Sequence, residues 1–200
     1  QALGKGIWDQ VFTSRVDMMS FSSHKFHGPR GIGILYKKRG RMLMPLCEGG
    51  GQEKGLRSGT ENLAAIAAMA KAARLLLTDE KEKADREYAI KEKISKYLAG
   101  KPGIHIFSPL KANFAPHILC FALEGIRGET LVHTLEDQDI YISTTSACAS
   151  KKADEASTLV AMKTPDAIAT SAVRLSFDES NTLEEADKFI AAFDEIYQHF

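Results

Sequence analysis

The sequence predicts an α/β chain in which a mixed sheet is flanked by helices, with a smaller α+β part toward its end. Three observations carry this reading. Short apolar runs alternate with helical patterns from residue 104 onward. NLAAIAAMAKAARLLL (62–77) contains no helix breaker. Two apolar runs near the start are separated by a connection too short to hold a crossover helix. No internal repeat or low-complexity tract interrupts the pattern.

Taken in order, VDMMSFS (16–22) reads as a buried strand and GIGILYKK (31–38) as a second strand ending in charge. The Gly28-Pro29 turn signal between them makes the pair hairpin-like. EGGGQEKGLRSG (48–59) carries five glycines and reads as a loop. Ser58-Gly-Thr-Glu61 fits the S/T-x-x-E capping box that opens a helix, predicted over 62–77. A helical pattern resumes over 80–98, dense in Lys and Glu at i,i+4 spacing, and GKPG (100–103) stops it. Beyond it the pattern predicts strands at 104–107, 117–123, 139–143 and 172–177. It predicts helices at 128–137, 156–162 and 165–170, and an amphipathic helix at 183–200 that begins after Thr182. A polar loop of small residues fills 144–154. The composition breaks within 60–79, which predicts one unit at 1–60, a linking helix at 61–79 and a second unit at 80–200.

Composition narrows the function. The 200 residues hold 26 basic and 26 acidic side chains, a formal net charge of zero, so nucleic acid is not an expected partner. Apolar residues make up 44%, with a mean hydropathy of −0.19, as in ordinary soluble chains. No apolar run approaches the roughly 18 residues that span a bilayer, so no membrane partner is expected. The chain opens on Gln1 with no basic, then apolar, leader, which predicts processing or an excised fragment rather than a signal peptide. Cys47, Cys120 and Cys148 are odd in number and far apart. That spacing excludes a disulfide framework and a simple zinc site, and predicts a reducing, cytoplasmic setting.

Four places can carry chemistry. Lys25 follows Ser22-Ser23-His24 at the end of an apolar strand. It reads either as a solvated edge residue or as an amine that condenses with an aldehyde, with the small hydroxyl residues before it able to hold a phosphate. His24 and His27 lack a third metal ligand at usable spacing. The glycine-rich loop ending at Thr60 lacks the Lys of a Walker motif, and reads as an ordinary loop or as an anion seat at a helix N-terminus. Cys148, in STTSACASKK, sits among small polar residues with Lys151 and Lys152 nearby to favour thiolate, whereas Cys120, inside HILCFAL, reads as buried and inert. Cys47 precedes the glycine run and is assigned no role. Arg174, inside AVRLSF, either faces solvent or is held for a carboxylate.

Together these segments resemble the pyridoxal-phosphate-dependent cysteine desulfurases of the first class, within the class V aminotransferase family. SFSSHKFHGPRGIGILY resembles the family's cofactor-lysine segment and GGGQEKGLRSGTENLAAIAAMAKA its glycine loop and following helix. STTSACAS resembles its persulfide-cysteine loop, and VRLSF before an acidic helix its C-terminal end. The motifs stand in family order along essentially the whole chain. The resemblance implies pyridoxal 5'-phosphate as cofactor, bound covalently by Lys25, with Ser22 and His24 at its phosphate and Gln1 at its ring hydroxyl. It implies that Thr60 reaches the phosphate in a neighbouring subunit, hence a homodimer. Arg174 then holds the α-carboxylate of L-cysteine, and Cys148 takes its sulfur as a persulfide, leaving L-alanine. The sulfur passes to an acceptor or scaffold protein for iron-sulfur cluster assembly, thio-cofactor synthesis or tRNA thiolation. No intrinsic metal site is implied, Cys148 being at most a transient ligand of an iron-sulfur cluster.

The departure is length. The family is roughly twice as long, and the histidine stacked on the ring, the aspartate on the pyridine nitrogen and much of the phosphate cup are absent from these residues. The chain is therefore expected to be a C-terminal part, inactive alone: a remnant of the large cofactor domain at 1–60 followed by the small domain. The alternatives are a selenocysteine lyase-type enzyme and a non-catalytic fragment serving as a binding module.

Overall fold

Two kinds of strand sequence produce two separate sheets. The computed structural model describes residues 2–144 and 158–199, which divide into two units, 1–80 and 81–200.

The first unit opens with the short helix α1 (Trp8–Val11), followed by β1 (Met18–Ser22) and β2 (Gly33–Lys37). These strands pair antiparallel, with Met18 opposite Lys37 and Ser22 opposite Gly33, as the hairpin pattern predicts. Gly33 is required by this pairing, because a Cβ there would lie 2.3 Å from the Phe21 carbonyl oxygen. β1 alternates exposed and half-buried residues along its length rather than being buried throughout. The reason is that a two-stranded sheet has only one covered face. That face joins a small cluster of Phe26 and the helix residues Met69 and Leu76, with Phe21 and Ile32 packed on it. Trp8 stacks on Phe12 at 4.9 Å, and Phe12 meets Tyr36 edge-on at 4.7 Å.

The helix that supplies Met69 and Leu76 is α2 (Leu63–Leu77). Its start corrects the expected capping box at Ser58. The N-cap is Asn62, whose side chain accepts from the Ala65 N–H at 3.2 Å. Ser58 is buried and its N–H donates to the Cys47 carbonyl. Gly59 follows at φ +116°, which no first helical turn accommodates. The helix therefore begins four residues downstream of the residue that the sequence motif favours.

The second unit contains α3 (Glu80–Leu98), β3 (Ile104–Ile106), β4 (Ile118–Leu123), α4 (Gly128–Glu136) and β5 (Ser143–Thr144). It continues with α5 (Thr158–Ala161), α6 (Asp166–Ala169), β6 (Ala172–Ser176) and α7 (Leu183–Gln198). The four strands form one sheet in the order β3-β4-β6-β5, all antiparallel. Leu119, Phe121, Leu123, Val173 and Leu175 fill one face, packed with Ile90, Ile94 and Leu98 of α3 and with Phe189, Phe193 and Ile196 of α7. Phe193 lies 5.5 Å from Phe121 and 5.7 Å from Phe189. On the opposite face, among the described residues, Ala122 and Ala172 pack with Leu159 of α5 and with Ile168 and Ala169 of α6.

Two expectations shift here. The strand expected at 139–143 pairs only from Ser143, because Asp139 is left-handed at φ 57° and the Ile140 N–H donates to the Leu135 carbonyl at the end of α4. Those hydrogen bonds delay the ladder. The Lys/Glu-dense α3 is not solvated all round: Glu87 and Lys91 are each 1% exposed. Lys91 Nζ donates to the Ala115 carbonyl at 2.8 Å, and burial pulls its pKa below the ordinary lysine value.

α7 starts where the sequence places it. Thr182 Oγ1 accepts from the Glu185 N–H at 3.2 Å, and Glu185 Oε2 accepts from the Thr182 N–H at 2.9 Å. Hydrogen bonds from the Asn181 side chain and the Thr182 backbone hold the Glu185 carboxyl below its usual range, so this contribution is present at neutral pH and lost as pH falls through the carboxylate range. Thr182→Ala is expected to cost about 1 kcal/mol, measured as a lower urea midpoint. An unchanged midpoint would mean that the box holds nothing.

Candidate active site

The chain leaves β1 at Ser22 and enters a single 3-10 turn, Ser23–Phe26. Three residues per turn bring i and i+3 into line. Ser23 and Phe26 are 0% and 2% exposed, so that pair faces inward. Ser22 before the turn, and His24 and Lys25 within it, are exposed. The turn closes with His27 left-handed at φ 63° and with the Gly28 N–H donating to the Ser23 carbonyl at 3.0 Å. Gly28 cannot be replaced without movement, since a Cβ there would sit 2.0 Å from Ser23 Oγ. That Oγ is buried with no hydrogen-bond partner. The turn thus leaves a hydroxyl, an imidazole and a primary amine exposed within four consecutive residues. This donor set suits an aldehyde that also bears a phosphate, so these residues fit pyridoxal 5'-phosphate.

Thr60 lies in the same unit, exposed, two residues before the Asn62 cap. The loop before it is tied shut by Gln52 Oε1, which accepts from the Gly59 N–H at 3.1 Å, and by the Ser58 N–H to the Cys47 carbonyl. Because Asn62 caps α2, the Thr60 hydroxyl is not spent on the helix.

Arg174 belongs to the second unit. It stands on the interior strand β6, directly opposite Cys120 of β4 on one side and Ser143 of β5 on the other. The residue is half-buried, and among the described residues its Nε is buried without a hydrogen-bond partner. Cys120 is free and half-buried, and burial pushes its thiol up to about 11, against the pull of Arg174. Cys47 is free and exposed, so exposure is not the property that sets Cys148 apart. Gln1 and Cys148 lie outside the described residues. Among the described residues no group of three or more His, Cys, Asp or Glu is placed to hold a metal ion.

Comparison with known proteins agrees with the residue pattern. Residues 1–189 match the family described as Aminotransferase class-V. A "NifS/IcsS protein homolog" of Lactobacillus delbrueckii subsp. bulgaricus is 99% identical over 200 residues, all of this chain and 52% of that protein. A "Cysteine desulfurase IscS" of Clostridium botulinum is 35% identical over 189 residues, 94% of this chain and 47% of that protein. Among solved structures, a "NIFS-LIKE PROTEIN" superposes with a TM-score of 0.84 at 36% identity, covering 100% of this chain and 51% of the other. A "NifS-like protein" from Rickettsia africae gives a TM-score of 0.82 at 27% identity, covering 99% and 52%. The chain spans about half the length of the curated relatives it matches.

The two described thiols should differ in chemistry. The thiolate is the reacting form, so Cys47 should alkylate with iodoacetamide near pH 8 well before Cys120, whose labelling should climb only as pH nears 11. Peptide mass analysis of a time course reads this. Equal rates at the two positions would contradict the burial of Cys120.

Proposed function

This chain belongs to the aminotransferase class-V family, and on that premise we propose that it carries the C-terminal half of a cysteine desulfurase. That enzyme uses pyridoxal 5'-phosphate to convert L-cysteine to L-alanine and passes the sulfur through Cys148 to an acceptor protein. The observation that supports the reading is the 3-10 turn after β1, which buries Ser23 and Phe26 and leaves Ser22, His24 and Lys25 exposed.

When bound, pyridoxal phosphate supplies an electron sink for charge that develops at the substrate α-carbon. The chain supplies position and proton handling. Lys25 Nζ holds the cofactor by its aldehyde. Ser22 Oγ and His24 hold its phosphate, Gln1 its ring hydroxyl, and Thr60 the phosphate of a second copy in a homodimer. Exposed Met42, Met44 and Leu46, at 89%, 80% and 97%, form apolar surface of the kind that an assembly of copies covers. Arg174 holds the substrate carboxylate through its guanidinium. Cys148, as thiolate, attacks the substrate sulfur. The carbon–sulfur bond breaks, a sulfur–sulfur bond forms on Cys148, and the carbon skeleton takes up a proton to leave as L-alanine. The cysteine usage supports a reducing, cytoplasmic setting for this chemistry. Among the described residues no helix is long and apolar enough to cross a membrane.

In the holoenzyme, borohydride reduction should leave a cofactor adduct on Lys25, and Lys25→Ala should lose it. Cys148→Ala should keep the adduct while alanine and sulfide production from L-cysteine falls to background. A Cys148→Ala enzyme that still releases both products would defeat this assignment, as would an adduct on another lysine.

A further inference from the structure

We propose that Cys120 and Ser143 are specificity-determining flanks of the Arg174 seat: two neutral side chains, in register on either side of the guanidinium, that leave its charge free for the substrate carboxylate. This deepens the function proposed above and rests on its assignment of Arg174.

The placement comes from strand register. Cys120 and Ser143 are the direct cross-strand partners of Arg174, and directly opposed residues point to the same face with Cβ atoms about 4.5–5.5 Å apart. Parity fixes which face. Leu119, Phe121, Val173 and Leu175 fill the core with α3 and α7, so Cys120, Arg174 and Ser143 form a row on the other face. The adjacent row, Ala122 and Ala172, is roofed by Leu159, Ile168 and Ala169. On the far side Ser176 is exposed. Among the described residues, Arg174 therefore stands between a roofed apolar row and exposed Ser176.

A guanidinium in the middle of a sheet whose buried Nε has no hydrogen-bond partner among the described residues has lost hydration there without receiving an acceptor from them in return. Among the described residues it makes no ion pair. A carboxylate at either flanking position would be within reach of a forked ion pair and would occupy the donors. The sequence instead places a thiol and a hydroxyl there. The thiol stays neutral at physiological pH, because burial outweighs the pull of Arg174 and puts it at about 11. Cys120 is also fixed in the sheet: its N–H donates to Ser108 Oγ at 2.6 Å, and its carbonyl accepts from the Phe107 N–H at 2.9 Å. It therefore acts as a neutral wall and does not relocate during turnover.

The test compares Cys120→Asp with Cys120→Asn, equal in shape and different in charge. In the holoenzyme the KM for L-cysteine should be about tenfold or more higher for the aspartate variant than for the asparagine one, the size of one lost charge-assisted hydrogen bond, with the effect falling on KM rather than kcat. A second readout needs no turnover. Phenylglyoxal should modify Arg174, and L-alanine should protect it in the wild type and in Cys120→Asn but not in Cys120→Asp. If the aspartate variant does not fold, Ser143→Asp applies the same charge from the opposite flank. Equal KM values for the Asp and Asn variants, or protection by L-alanine that survives the aspartate, would overturn the proposal. Arg174→Gln tests the underlying reading separately: a KM unchanged in that variant removes Arg174 from the carboxylate seat, whatever the flanks do.

Discussion

The pairing of β4 with β6 is the constraint on which the second unit depends. Five residue pairs, from Ile118–Ser176 to Ala122–Ala172, lock two strands about fifty positions apart in sequence. A single register decides both faces at once, because the side-chain period of a strand is two. With Leu119, Phe121, Val173 and Leu175 inward, Cys120 and Arg174 have to point outward. A slip of one residue would push the guanidinium into the aromatic cluster of Phe189 and Phe193 and expose Val173. The aromatic core thus fixes the orientation of a charged residue that it never touches.

The first unit solves a smaller version of the same problem. Its two-stranded sheet cannot form a two-layer core, and in the turn that follows β1 the buried side chains are Ser23 and Phe26. A 3-10 turn converts that burial into direction: fixing every third residue inward fixes the neighbouring face outward. Gly28 completes the device by passing within contact distance of Ser23 Oγ, where a side chain would not fit. The exposed Lys25 is thereby carried on a turn anchored by residues on either side of it.

Much of this was legible in the sequence. Helices α2, α3 and α7 and strands β4 and β6 lie where apolar periodicity and breakers place them, and Thr182 with Glu185 reads directly as a cap. The misreadings share a cause, which is that local patterns cannot report who else claims a group. Ser58 has the residue type and spacing of an N-cap, yet its N–H is taken by Cys47. Ile140–Ile142 has strand composition, yet the Ile140 N–H is used to close α4. Glu87 and Lys91 belong to a run of charges indistinguishable from a solvated helix face, and only the tertiary arrangement buries them. The orphaned Nε of Arg174 has no sequence signal at all beyond the oddity of an arginine between Val173 and Leu175. The positions of Gln1 and Cys148 lie outside the described residues, so their roles rest on motif and family.

The three thiols can still be weighed against what sulfur transfer demands. The group must be a thiolate when the substrate sulfur arrives, and it must then present that sulfur to another protein. Cys120 fails both conditions: its thiol is held near 11 by burial, and its backbone is bonded on both sides within the sheet. Cys47 is exposed, but its carbonyl is tied to Ser58 in a loop closed by Gln52, which anchors its backbone beside the glycine run. Cys148 is the remaining thiol, and its sequence surroundings differ in kind: serine, threonine and alanine before it, and two lysines just after to favour the anion. That residue chemistry is why the transfer proposed above is assigned to Cys148 rather than to Cys120, whose thiol burial keeps neutral.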